Sequence, residues 1–232
     1  MQPKIKITWA EPQYLTTDLV LFAIENQRLK VLLVRRVNDP YKGRWGLPGG
    51  YVQTDESLDE AAHRLLREKT GARDVHLEQL FTFGDMRRGP TIRVVTTAYF
   101  GVTCSKKLRL DSLDGSRNTQ LFAASQLPPL AFDHDKIIRY GVERLRHKVN
   151  YTTICHQLLE EGFTLPELQK VYEIILAQRL DKRNFRKKML QLGILKDLNK
   201  VRQETTGRPA RLYSFTRSGV VKLQEKGILV PF

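Results

Sequence analysis

Five residues at fixed offsets, Gly50, Glu56, Arg64, Glu68 and Gly71, constrain this chain more than anything else in its sequence. Between Glu56 and Gly71, the apolar residues Leu58, Ala61, Ala62, Leu65 and Leu66 recur at helical spacing, which predicts a helix over 57–70. Gly71 suits the left-handed position that ends a helix. Trp45-Gly-Leu-Pro-Gly-Gly-Tyr leads into this segment, so the pattern reads loop, helix, loop. Upstream, the apolar runs 19–24 and 29–34 flank the polar turn Glu25-Asn-Gln-Arg and predict a hairpin. Downstream, 75–83 and the β-branched run 92–102 predict two more strands. After a break at Gln126-Leu-Pro-Pro-Leu, residues 133–147 predict a second helix.

The second half changes character. Residues 151–160, 165–177 and 182–192 read as three helices, the second opened by the capping box Thr164-Leu-Pro-Glu167 with Pro in its first turn. On the third, Phe185, Met189 and Leu192 make one buried stripe, which leaves Arg183, Arg186 and Lys187 on an outer face. Two strand-like arms, 194–202 and 210–215, surround Thr205-Thr-Gly-Arg-Pro, and a last short helix is expected from about Ser218. Three helices followed by a hairpin is the order of a winged helix-turn-helix. A boundary near Lys148 divides the chain into 1–147 and 148–232.

Charge follows the same division. The 232 residues carry 39 basic and 25 acidic side chains, a formal charge of +14. Residues 181–211 alone hold ten basic and three acidic residues, so the excess is concentrated rather than interspersed. Such a stretch suits duplex DNA or an anionic membrane surface. Phe185, Met189 and Leu192 are committed to a core, which leaves no apolar face for a bilayer and favours DNA. Lys182, Arg183, Asn184, Arg186, Lys187 and Lys188 open the third helix, and Arg and Asn are well shaped for guanine and adenine edges. Lys200, Arg202, Arg208 and Arg211 lie on the hairpin, where they can follow phosphates or enter a minor groove.

Several classes fall away. The longest apolar run is six residues, 19–24, where a spanning helix needs roughly 20. No apolar segment follows the basic start Met1-Gln-Pro-Lys-Ile-Lys, so no signal peptide is expected. Cys104 and Cys155 have no CxxC partner and read as reduced thiols of a cytoplasmic protein.

The offsets Gly50-x5-Glu56-x7-Arg64, with Glu68 and Gly71 in register, resemble the Nudix box, G-x5-E-x7-R-E-U-x-E-E-x-G-U with U aliphatic. That box handles nucleoside diphosphates linked to another group. The departures are Leu65 and Lys69, at positions where Nudix hydrolases place Glu. On a helix those positions join Glu68 on one face, and Mg²⁺ needs carboxylates together with phosphate oxygens to fix it. Two carboxylates are lost and one becomes a cation, a shift of three charge units. Without the metal there is little to polarise a pyrophosphate or activate water. The expectation is therefore no catalytic residues and no metal site.

The same change favours anion binding. Arg64, Lys69 and the N–H groups of a Gly49-Gly50 turn are candidates to hold a pyrophosphate. Arg64 has a second reading, a pair with Glu68 or Glu56 that fixes the loop, which would make Glu68 a structural remnant. Arg36, at the end of a strand beside Arg35, is a further candidate for phosphate. Trp45 and Tyr51 are candidates to stack on a base or ribose, as is Phe22 if it is not core. Asp133-His134-Asp135 resembles a catalytic cluster but reads better as a helix start, with Asp133 as cap and Asp135 favourable to the dipole.

Beyond the box, the chain resembles one family, the Nudix-related transcriptional regulators of NAD metabolism. The resemblance rests on Phe81-Thr-Phe-Gly-Asp, Leu127-Pro-Pro-Leu-Ala-Phe-Asp-His-Asp, Phe163-Thr-Leu-Pro-Glu-Leu-Gln-Lys-Val-Tyr-Glu, Asn184-Phe-Arg-Lys-Lys-Met and Gly207-Arg-Pro-Ala-Arg-Leu-Tyr. It implies an α+β architecture: a Nudix-like α/β/α sandwich with a mixed sheet, followed by a winged helix-turn-helix. It also implies a homodimeric bacterial repressor of NAD metabolism genes. Such a repressor binds a palindromic operator on the nucleoid and is released by an effector, commonly ADP-ribose, with no cofactor required. The linker near 147–151 is the expected moving element. Two rival readings stay open: an active pyrophosphohydrolase on ADP-ribose, using Glu56 and Glu68 for one weak metal, and a repressor whose first domain binds nothing.

Overall fold

The computed structural model describes residues 13–72, 74–108, 118–160, 162–203 and 209–216. The expected hairpin forms from β1 (Tyr14–Glu25) and β2 (Arg28–Arg35). Asn26 and Gln27 both sit at positive φ, 51° and 57°, which closes the two strands with the tight twist such a turn needs. β1 begins well before the apolar run because Tyr14 to Phe22 pair in parallel with the whole of β6 (Val94–Val102). The sheet continues through β3 (Trp45–Gly46), β4 (Gly49–Tyr51), β5 (Glu78–Phe83) and β7 (Thr119–Ala123). Its order is β3-β2-β1-β6-β5, with β4 also on β1 and β7 on β2; β1–β6 is the parallel pair of a sheet otherwise antiparallel.

Alternation along β1 builds two cores. Leu19, Leu21 and Ala23 face α1 (Leu58–Thr70), packing with Ala62, Leu65 and Leu66. Val20 and Phe22 face the other way, onto Ile137, Ile138 and Leu145 of α2 (His134–Lys148). Phe22 is fully buried and belongs to this core, which removes it as a stacking residue. Gly141 permits the close approach of α2, since a Cβ there would meet Val20 and Phe22 at 3.1–3.3 Å. This is the α/β/α sandwich with a mixed sheet.

Both ends of α1 form as the sequence requires. Ser57 and Glu60 make a capping box, and Gly71 closes the helix at φ 66°. α2 departs from expectation at its start. Asp133 occupies the N-cap position but makes no capping hydrogen bond, because its carboxylate turns to Arg88 instead.

The winged helix comprises α3 (Leu165–Leu176), α4 (Lys182–Gln191), β8 (Leu195–Arg202) and β9 (Ala210–Phe215). Thr164 and Glu167 make the expected capping box. The helix expected over 151–160 is only a 3-10 segment, Ile154–Leu158. Cys155 and Leu158 are buried in that segment and anchor it against the core, while Leu159 leaves in extended conformation. Phe185 and Met189 are buried as expected and Leu192 is half-buried. Arg208, most of the expected turn 205–209 and the helix expected from Ser218 lie outside the described residues.

The two halves share one hydrophobic core that runs from Val20 and Phe22 through Ile137 and Leu145 to Leu168, Tyr172, Phe185 and Met189. The linker expected to move is packed: Val149 is fully buried and Lys148 pairs with Glu78 of β5 at 2.5 Å. No helix of the described residues is long and apolar enough to cross a membrane. Cys104 and Cys155 are both free.

Candidate functional site

On the α2 side of the sheet, a cavity of about 270 Å³ opens between the end of β2, β4, the β5–β6 loop and the start of α2. Ligand pockets usually begin at roughly 300 Å³, so a small effector or part of a larger one fits. Four of the sequence candidates line it: Arg36, Gly49, Gly50 and Tyr51. Arg36 lies over the Phe132 ring, 4.8 Å from its centroid, and donates from Nε to the carbonyl of Pro40 at 2.8 Å. Tyr51 is exposed at the rim and meets Tyr14 edge-on at 5.7 Å. Arg35 is exposed and bonds the Gly43 carbonyl instead.

Gly49 and Gly50 are not an open turn. They lie in β4 opposite Asp18 and Thr17, within a ladder bounded by Leu19 N–H to the Pro48 carbonyl and Val52 N–H to the Leu15 carbonyl. Strand pairing consumes backbone groups expected to face an anion. A Cβ on Gly49 would sit 2.3 Å from Asp18 Oδ1, so glycine is required for that approach.

Trp45, Arg64, Glu68 and Lys69 do not line the cavity. Trp45 packs edge-on against Phe122 at 4.8 Å, and Lys69 is exposed on α1. Arg64 takes the loop-fixing role. It grips Glu56 with two bonds, Nε at 2.8 Å and Nη2 at 2.6 Å, reaches Glu68 at 3.2 Å, and donates to the Tyr51 carbonyl at 3.1 Å. This bidentate bond, helped by the Gln53 N–H, holds the Glu56 carboxyl down to about 2. Leu65 is 2% exposed and packs directly under Gly50, whose Cβ would come within 2.8 Å of it. Among the described residues, no group of three or more His, Cys, Asp or Glu is placed to hold a metal.

Of the most buried polar residues of the cavity, sequence reading misses Asp18 and Arg88 and names His134 only as part of a helix start. Asp18, on the α2 face of β1, accepts from Arg88 Nη2 at 2.5 Å. His134 accepts from the Leu47 N–H at its Nδ1, 2.8 Å away, and turns Nε2 toward Asp18 Oδ1 at 3.7 Å. Burial lowers the His134 pKa, with the nearby Asp18 carboxylate partly opposing it. The imidazole is therefore neutral, with its proton on Nε2. Asp18 had one signal in the sequence, a charge within a strand otherwise apolar over 19–24; Arg88, in a polar loop, had none.

On the winged helix, Phe185 and Met189 turn inward, and Phe185 meets Tyr172 of α3 edge-on at 5.4 Å. Lys182, Arg183, Asn184, Arg186 and Lys187 are exposed, and Lys188 is half-buried. Asp181 caps α4 by accepting from the Asn184 N–H. A groove of about 650 Å³ between α4 and the hairpin has Lys182, Arg186 and Arg211 on its walls. The hairpin cations are less free than their charge suggests. Arg202 pairs with Glu167 at 2.7 Å and donates to the Gly162 carbonyl, and Arg211 pairs with Asp197 at 3.0 Å. Lys200 is exposed.

Residues 15–141 match the NUDIX domain family and residues 155–215 the NrtR DNA-binding winged helix domain. The chain is similar to the ADPR responsive transcriptional repressor NtrR of Acinetobacter baylyi, 37% identical over 206 residues that span 87% of this chain and 81% of that protein. It is also similar to the crystal structure of Shewanella oneidensis NrtR complexed with a 27mer DNA, with TM-score 0.80 and 37% identity over 89% of this chain and 95% of that one. The NUDIX domain of Shewanella oneidensis NrtR complexed with ADP ribose matches 59% of this chain and 90% of its own, with TM-score 0.53 and 38% identity. An altered Nudix helix and an outward-facing basic helix, joined through one core in the order of these relatives, place the chain in the NrtR family of NUDIX and winged helix proteins.

Proposed function

We propose that this chain is a transcriptional repressor whose Nudix domain receives ADP-ribose as an effector and leaves it intact, and whose winged helix releases its operator in response. The observation that carries the receptor role is Leu65 beneath Gly50. A position suited to a metal-binding carboxylate is a sealed apolar contact, and the remaining acids, Glu56 and Glu68, are tied to Arg64. Little is left to bind the divalent cation that pyrophosphate cleavage uses. The cavity supplies Arg36, the Phe132 ring and Tyr51 for a phosphorylated, aromatic ligand. The relatives' names support the choice of ADP-ribose.

DNA recognition falls to the exposed start of α4, with Arg183, Asn184, Arg186 and Lys187 toward the duplex and Lys182, Lys200 and Arg211 toward phosphates. Arg208 belongs to the same proposal. A palindromic operator requires two such helices about one helical turn apart, hence a homodimer. The operator resides on the nucleoid, so the protein acts in the bacterial cytoplasm.

The test is a gel-shift titration. A duplex enriched by the full-length protein from a randomised pool is bound and then titrated with ADP-ribose; release is expected. Unchanged binding at saturating ADP-ribose would refute the effector role. Brisk cleavage of ADP-ribose with Mg²⁺ would refute the receptor role.

A further inference from the structure

Arg88 belongs to the loop between β5 and β6, where Met86 is 83% exposed, yet its own side chain is 4% exposed. It reaches inward to two carboxylates, Asp18 at 2.5 Å and Asp133 at 3.0 Å. The contact with Asp18 is a hydrogen bond. The contact with Asp133 is not: Arg88 Nε and Asp133 Oδ1 are both buried, close in space, and without a hydrogen-bond partner. An imperfect ion pair of this kind costs desolvation without full compensation. It is therefore the half of the network most easily given up to a better acceptor.

Asp133 stands at the start of α2, and its side chain is 20% exposed where that of Asp18 is 9% exposed, so water is within its reach. The far end of α2 is tied to the DNA-binding half. Arg146 Nε donates to the Ile175 carbonyl of α3 at 3.1 Å, and α3 meets α4 through the Tyr172–Phe185 ring contact. Arg88, Asp133, α2, α3 and α4 thus form one contiguous chain of contacts from the cavity to the basic helix.

Charge sets the direction of the response. The cavity and its edge hold two cations, Arg36 and Arg88, against three carboxylates, Asp18, Asp39 and Asp133. A pyrophosphate brings about two further negative charges into this enclosed space, where like charges repel strongly. Removing Asp133 toward solvent leaves two cations facing two carboxylates and the ligand. That rearrangement separates an anion-free state, with α2 held at its start, from an anion-bound state with the hold released.

We infer that Asp133 is the positioning residue that couples the cavity to the winged helix: a pyrophosphate-bearing effector takes the Arg88 guanidinium from Asp133 and so frees the start of α2. This rests on the effector reading above. Coupling is reciprocal, so the effector's hold on Arg88 and the duplex's hold on the tethered state oppose one another.

The experiment measures, on full-length protein, the Kd for the selected duplex with and without saturating ADP-ribose, and the Kd for ADP-ribose alone. Wild type is expected to lose at least about tenfold in duplex affinity when ADP-ribose is present, the scale of ordinary allosteric coupling. Asp133→Asn keeps the shape and removes the charge. It is expected to bind ADP-ribose as wild type does or more tightly, while the ratio of duplex affinities collapses toward one. Asp133→Glu, which restores the carboxylate, is expected to restore the ratio. If Asp133→Asn does not fold, Asp133→Ser takes its place with the same two readouts. A wild-type ratio in the neutral variant would overturn the inference while leaving the effector reading intact. A ratio of one in the wild-type protein would instead sink the effector reading, and this inference with it.

Discussion

Leu65 of α1 lies directly under Gly50 of β4, close enough that a methyl group on Gly50 would come within 2.8 Å of its Cδ2. The contact seals the first turn of the sheet against the helix and removes the space a carboxylate would need there. Gly50→Ala is expected to cost about 1–3 kcal/mol through overpacking, read as a lower midpoint in urea. Leu65→Glu is expected to cost more, since Leu65 is 2% exposed and an unpaired carboxylate would replace it. Writing Glu at 65 and 69 is therefore expected to destabilise the domain before it revives any hydrolysis. A Leu65→Glu variant as stable as wild type would contradict this.

The Arg64–Glu56 pair makes stability depend on acid. The Glu56 carboxyl lies at about 2 in the folded protein against 4.5 ordinarily, a depressed carboxylate. Its contribution is complete above pH 4.5 and is lost as pH falls from there toward 2. Thermal midpoints measured across that window are expected to fall less steeply for Arg64→Ala than for wild type. Parallel curves would show that the pair is irrelevant to stability.

His134 titrates in the opposite chemical sense but with the same sign. Its pKa is lowered by burial, so below about pH 6.5 the unfolded chain takes up a proton that the folded one refuses. Stability should decline as pH drops through that range. His134→Phe should flatten the decline and cost about 1–3 kcal/mol at neutral pH, because the Leu47 N–H loses its acceptor. The check is urea unfolding of both proteins at pH 7.5 and 5.5.

Two arginines of the winged helix should separate DNA contact from structure. Arg186 is exposed, and Arg186→Ala is expected to weaken duplex binding by about 1–3 kcal/mol and, if it contacts phosphate, reduce the salt slope by about one. ADP-ribose affinity and melting temperature should not change. Arg202 bridges Glu167 and the Gly162 carbonyl, so Arg202→Ala is expected to lower the melting temperature of the domain as well. Equal melting losses in both variants would erase the distinction.

What could be read from the linear order of residues was what depends on near neighbours. The helix of the Nudix box, the capping box of Thr164 and Glu167, the Asn26-Gln27 turn and the buried stripe of Phe185 and Met189 follow from spacing and local hydrogen bonding. The basic face of α4 follows too, because burying one stripe of a helix sets the direction of the rest. The expected helix over 151–160 failed because burial of Cys155 and Leu158 against a distant core, rather than local periodicity, sets that segment. β7 passed unnoticed, since an edge strand with one buried residue has no alternation to detect. The cavity depends on folding most of all. Arg88 meets Asp18 across 70 positions of sequence and Asp133 across 45, and His134 meets Leu47 across 87. Such partners are chosen by which loops the mixed sheet and α2 bring together, and a buried charge declares its role only once its neighbours have displaced water from around it.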